Sequence, residues 1–334
     1  MKKGEFKSRG LSFYRECKKD ILATVWLMFK IMIPVSIVVK ILRELGAIEI
    51  IGQMLSPLMK GVGLPGEMGL VWATGMITNL FGGVLAFLQI SRDIPLTITQ
   101  VTVISVMMLV AHTFPIELQV ARKAGVRLWV SFVLRFVFAF LFGAVINLIY
   151  NGFGWFQQKA VVTWRPEVIA NPTWADWAVG ELKSYAIILG FIISLIIFVK
   201  LLREFGVIKW ITKALGPVLK WMGIGENVTT ITIIGLTLGI VYGGALIINE
   251  SKNQEIKRRD IFYSLALMGL CHSVIEDTIL VVSLGADIIG VLGIRLLLSL
   301  LIIVSMVRLT RKMREETFLK VFMVFRKKKE APVY

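Results

Sequence analysis

His272, Glu276 and Asp277 stand within a stretch that otherwise reads as membrane-spanning, and the only other histidine, His112, lies 160 residues earlier. Ionisable groups in hydrocarbon are expensive, face inward when present, and mark a functional site by default. Spacing sets the chemistry to expect. His272 and Glu276 are four apart, so they share a helical face and could share a proton or bind one cation together. Asp277 would point about 100° away, toward a different neighbour. Thr99, Thr102, Ser105 and His112 would likewise keep near one helical face, with Pro115 interrupting and Glu117 following. A purely structural cluster, or a Glu117 that only caps a helix end, is the plainer alternative. Two histidines 160 apart without cysteine pairs lack the spacing of a structural zinc site, so the sequence assigns no metal and no cofactor.

The elements that must hold these groups are apolar helices. Hydrophobic residues make up 56% of the 334 and charged ones 18%, with a mean hydropathy of +0.77, outside the range of soluble domains. Eight long apolar stretches recur: Ile21–Leu42, Met68–Ile90, Ile94–Ala111, Leu128–Tyr150, Tyr185–Leu202, Val228–Ile248, Ile261–Leu284 and Ile288–Val307. Most reach the roughly 18–20 residues that cross a bilayer as a helix. The expected fold is an all-α polytopic membrane protein.

The net charge of +16 is not a nucleic-acid signature. Basic residues crowd the first 20 positions and the segment after Val307, where they suit anionic lipid headgroups. By the positive-inside rule both termini are cytoplasmic, and the plasma membrane is the expected location. Cys17 and Cys271 fall in a tail and a span, so no disulfide framework is implied.

The chain is duplicated. KILRELGAI at 40–48 returns as KLLREFGVI at 200–208, and Pro57, Lys60, Gly125 and Arg135 return as Pro217, Lys220, Gly285 and Arg295. The expected organisation is a basic N-terminus (1–20), a first repeat (21–150), an external linker (151–182), a second repeat (183–307) and a basic tail (308–334). Equivalent loops carry opposite charge. Arg122–Arg127 has three basic residues and its partner Gly285–Asp287 none, whereas Lys252–Arg259 has four and its partner near Arg92 only one. The repeats are therefore expected to be inverted, which requires an odd number of crossings in each. With four clear spans per half, the extra element is sought in 45–62 and 205–222. Both contain a proline and are read as broken or hairpin-like helices, with an interfacial amphipathic helix as the alternative.

Gly235, Gly239 and Gly243, matched by Gly75, Asn79 and Gly83, form a small-residue ridge expected to let helices pack closely. Asn79 is a mid-span amide that needs a partner. Asn249 and Glu250 end the same stretch as Gly243, either lining an inner vestibule or meeting cytoplasmic water.

GGALIINE at 243–250, CHSVIEDT at 271–278 and the glycine spacing resemble the nucleoside-recognition (Gate) domain family. That family includes spore maturation membrane proteins and the gate regions of ferrous iron transporters. The resemblance covers both halves, more closely the second, and implies a helical membrane fold of inverted repeats with a transport-type role. No GxxxxGK[ST] string occurs, so nucleotide hydrolysis within this chain is not expected. The expected function is secondary transport of a small polar or ionic solute, coupled to protons or a cation. His272, Glu276, Asp277, His112, Glu117, Asn79, Asn249 and Glu250 are the candidate binding or coupling residues. A non-transporting scaffold or regulatory subunit is the alternative, and an intramembrane enzyme, with Ser273 as its one adjacent nucleophile, a more remote one. The bilayer is the expected partner; a homo-oligomer and a partner membrane protein both remain open.

Overall fold

The computed structural model describes residues 3–92, 94–162, 173–250 and 256–324, which form helices joined by short turns. The basic tail beyond 324, Asn171 and most of the linker's middle lie outside the described residues. The first half runs α1 (Lys3–Glu44), α2 (Ala47–Lys60), α3 (Met68–Ile77), α4 (Leu80–Ile90), α5 (Ile98–Val110), α6 (Phe114–Lys123) and α7 (Leu128–Gly152). The second runs in the same order, as α8 (Trp174–Glu204), α9 (Val207–Trp221), α10 (Glu226–Leu238), α11 (Ile240–Glu250), α12 (Arg258–Leu270) and α13 (Glu276–Val282). A π-helical stretch, Ile289–Ile294, then leads into α14 (Arg295–Arg311), and α15 (Glu315–Phe322) follows. α8 starts inside the segment expected to be linker.

Among the described residues five helices, not eight, are long and apolar enough to cross a membrane: Ile21–Glu44, Ile98–Lys123, Leu128–Gly152, Trp174–Leu202 and Ile289–Arg311. Of the three missing stretches, Met68–Ile90 and Val228–Ile248 fold back as hairpins, and Ile261–Leu284 is broken between α12 and α13. Asn79 adopts an extended backbone (φ −157°, ψ −179°) between α3 and α4, and its side chain accepts the Gly82 amide at 2.9 Å. Gly239 makes the matching turn at φ +95°, ψ 159°, a conformation open essentially to glycine alone. Eight residues of straight helix span about 12 Å. Here a Cβ added to Gly83 would lie 3.1 Å from the Gly75 Cα, and one on Gly243 would collide with Gly235. The small residues thus face one another across a turn rather than forming a ridge along one helix.

α2 and α9 are continuous, contrary to the expectation of broken helices. Each keeps its proline inside, at Pro57 and Pro217. At 14 and 15 residues, they reach only about 21–23 Å, short of a hydrocarbon core of about 30 Å. α2 buries Ile48, Gly52 and Met59 and turns Ile50 and Met54 outward, the pattern of a helix lying along an apolar surface.

α5 and α12 occupy the centre. Every residue from Val101 to Val110 and from Ile261 to Leu270 is buried, as expected of helices apolar on all sides. α7 and α14 pack against them, and with α1 and α8 expose Trp26, Val38, Val137, Val179, Phe198 and Leu297, side chains suited to lipid. The halves interlock rather than merely abut. A Cβ on Gly244 of α11 would strike Val120 of α6. The Asp287 amide donates to Thr102 Oγ1 (2.8 Å), and the Tyr150 hydroxyl donates to Asp287 Oδ2 (2.5 Å).

Candidate functional site

Both central helices stop at the same repeat position. α5 ends at Val110 and α12 at Leu270, and the residue after each histidine takes a left-handed conformation, Thr113 at φ +51° and Ser273 at φ +47°. A β-branched residue there is an outlier, and a strain of about 1–3 kcal/mol persists only where the surroundings over-determine it. Those surroundings are identifiable. The Thr113 amide donates to Gly75 O and the Val274 amide to Leu236 O, each at 3.0 Å, which ties both breaks to the hairpins. Met108 and Met268, one turn before the histidines, pack against the paired glycines of the two hairpins.

Breaking a helix inside an apolar core leaves carbonyls that no water can reach. One arginine per half supplies the donors. Arg135 Nε donates to Val110 O (2.8 Å) and its Nη2 to His112 O (3.0 Å). Arg295 repeats the pattern on Leu270 O (3.4 Å) and His272 O (2.8 Å). A buried guanidinium at a helix C-terminus also meets the negative end of the helix dipole.

The histidines are held the same way. Nδ1 of His112 lies 2.8 Å from Met108 O, and Nδ1 of His272 lies 2.8 Å from Met268 O. A carbonyl only accepts, so each Nδ1 is the donor, and in the neutral ring each Nε2 presents a lone pair. The two Nε2 atoms face each other at 3.2 Å across the boundary between the halves. Glu117, in the first turn of α6, brings Oε1 to 3.3 Å from His272 Nε2 and 3.6 Å from His112 Nε2. Its Oε2 is ion-paired with Arg135 Nη1 at 2.5 Å. All four residues are 5% exposed or less, so no solvent screens the group. Three acceptors converging on one point have the geometry to hold a cation, a proton or a metal ion. His112, Glu117 and His272 have the mutual distances of metal-ligand atoms.

The candidate residues from the sequence divide on this geometry. His112, His272 and Glu117 come together. Glu276 and Asp277 begin α13, after the break, so His272 and Glu276 do not share a helical face. Asp277 is the repeat partner of Glu117, yet its Oδ2 is buried without a hydrogen-bond partner among the described residues. Asn79 caps a hairpin helix, and Asn249 and Glu250 end α11. Of the helical polar face, Thr99 donates to Trp155 O and Thr102 to Ile98 O, while Ser105 is buried.

Two groups lie beyond what motif spacing singles out. The repeat pairs Arg135 with Arg295, and a mid-span arginine at the same position in each half is a legible signal of function. Glu181 falls in the segment expected to be linker. It is buried between α1, α4 and α8, accepting from Ser36 Oγ at 2.9 Å and Gln89 Nε2 at 3.1 Å.

The family model Gate, described as nucleoside recognition, matches twice, over residues 25–127 and 186–307. The chain belongs to the Gate family. Each matched segment contains one histidine of the centre; Glu117 lies in the first and Arg295 in the second, while Arg135 falls just beyond the first. The chain is also 27% identical over 297 residues to the uncharacterized membrane protein YvoD of Bacillus subtilis (strain 168), covering 86% of this chain and 92% of that one. No solved structure matches.

Proposed function

We propose that this Gate-family membrane protein is a secondary transporter of a small ion or polar solute, working by alternating access between two inverted halves. The observation that carries this reading is the buried His112–His272–Glu117 centre, to which each half contributes one histidine from a broken helix. Broken helices with polar groups at matched depth are the usual architecture of carrier sites. The hairpins also supply a parity argument. With Met68–Ile90 and Val228–Ile248 folded back, and the broken α12–α13 counted beside the five long apolar helices, each half would have three crossing elements: α1, α5–α6 and α7 in the first, and α8, α12–α13 and α14 with its π-helical lead in the second. Three is odd, in accord with the opposite loop charges. The loop and tail charges support cytoplasmic termini, in keeping with a place in the cell membrane.

Three ligating atoms within 3.6 Å of one another suit an ion rather than a nucleoside. A hydrolase reading is disfavoured by the same contacts: both ring nitrogens of His272 face groups other than Ser273. The test is uptake into proteoliposomes, from a library of ions and small solutes, with and without a proton gradient. Gradient-dependent accumulation by the parent protein is expected, with at least a tenfold loss in Glu117→Gln that still elutes as a folded monodisperse species. Equal uptake by parent and variant would make the centre structural.

A further inference from the structure

We propose that His112 Nε2, His272 Nε2 and Glu117 Oε1 form a three-ligand site for a divalent transition metal of the zinc and cobalt class. The inference deepens the transport reading by naming the ion that the centre would receive, but binding itself can be measured without transport.

Geometry is the first argument. The three atoms stand 3.2, 3.3 and 3.6 Å apart. The point equidistant from them lies about 2 Å from each, the bond length of zinc to imidazole nitrogen and carboxylate oxygen. Those separations are also about the edge lengths of a tetrahedron with such bonds, which leaves one position open, as in sites that exchange a ligand.

Lone pairs are the second argument. With both Nδ1 atoms donating to carbonyls, two neutral imidazoles and a carboxylate aim acceptors at one buried point. That arrangement is repulsive when empty. A single proton on one Nε2 would satisfy one neighbour well, whereas a metal ion takes all three lone pairs. Two nitrogens among three donors select a borderline transition metal over magnesium or calcium, which take oxygen ligands.

Orientation is the third. Each ligating imidazole donates its other N–H to a backbone carbonyl, and the carboxylate is fixed through Oε2 by Arg135. Such outer contacts fix ring tautomer and ligand direction before the ion arrives. The Met108 and Met268 carbonyls and Arg135 thus pre-orient all three ligands. Pairwise histidine contacts alone would not require this.

Full-length protein, purified in detergent and stripped of metal by chelation, is titrated with Co2+. The expected result is one Co2+ per chain with the intense visible d–d bands of four-coordinate cobalt, displaced by Zn2+. Glu117→Gln and His112→Ala should each weaken binding by about a hundredfold or more, beyond the 10–100-fold typical of outer-shell losses. Should those variants fail to fold, His272→Cys gives a second readout. Retained Co2+ binding with a new thiolate charge-transfer band places the metal at residue 272. Weak octahedral Co2+ spectra, or stoichiometry and affinity unchanged in a folded Glu117→Gln, would overturn the site. So would a His272→Cys protein that binds Co2+ without the thiolate band. Tight Co2+ binding without uptake in proteoliposomes would support the site and reject transport. Uptake without metal binding would do the reverse.

Discussion

Arg135 has three tasks at once: it satisfies Val110 O, satisfies His112 O and neutralises Glu117. Breaking a buried ion pair from one side costs about 3–5 kcal/mol, because the remaining charge has no solvent. Arg135→Met should therefore lower the thermal midpoint in detergent sharply. Arg135→Met combined with Glu117→Gln should recover part of that loss, since no uncompensated carboxylate remains. A double-mutant cycle read by thermal unfolding should give a coupling energy of more than about 1 kcal/mol. Additive losses would show that the pair is not energetically joined. The recovery should be incomplete, because methionine supplies no donor to either carbonyl.

The hairpins are governed by the room between their helices. Gly243 leaves no space, since a Cβ there would collide with the Gly235 backbone and reach the Met268 sulfur at 2.9 Å. At Gly75 the nearest atom would be 3.7 Å away, an ordinary contact. Gly243→Ala should thus destabilise by about 1–3 kcal/mol, the usual cost of forcing extra volume into a packed interior, while Gly75→Ala should melt with the parent protein. A comparison of midpoints for the two variants checks this. Equal midpoints would show that the α10–α11 hairpin yields easily. The small-residue spacing was plain in the sequence, but whether it joins two helices or the two arms of one hairpin was not. That depends on the turn at Asn79 and Gly239, and glycine at mid-span is compatible with either.

At the scale of the molecule, the two halves share a centre, so their relative orientation decides what the centre can do. Lys123 and Gln157 flank α7 and are both exposed. Inversion with cytoplasmic termini puts residue 123 inside and residue 157 outside. In a background with Cys17 and Cys271 replaced by serine, Gln157→Cys should react with an impermeant maleimide in intact cells. Lys123→Cys should react only after permeabilisation. Reaction of both from one side would contradict a membrane-crossing α7 and the inverted arrangement with it.

Composition and the 160-residue repeat were enough to place the chain in a membrane, divide it into two related segments and pair His112 with His272 and Arg135 with Arg295. These follow from local facts: hydropathy over about 20 residues and identity at a constant offset. Which of the candidate acids meets the histidines did not follow. Reading His272 with Glu276 assumed an unbroken helix, and four-residue spacing means shared direction only while the helix continues. The chain instead breaks at Ser273, and the carboxylate arrives from the other half as Glu117. Glu117 and Asp277 occupy the same repeat position, yet differ by one methylene, and only Glu117 stands with both imidazoles. Contacts across the boundary between halves, at 3.2 and 3.3 Å, are set by packing between elements distant in the chain, which no local spacing encodes.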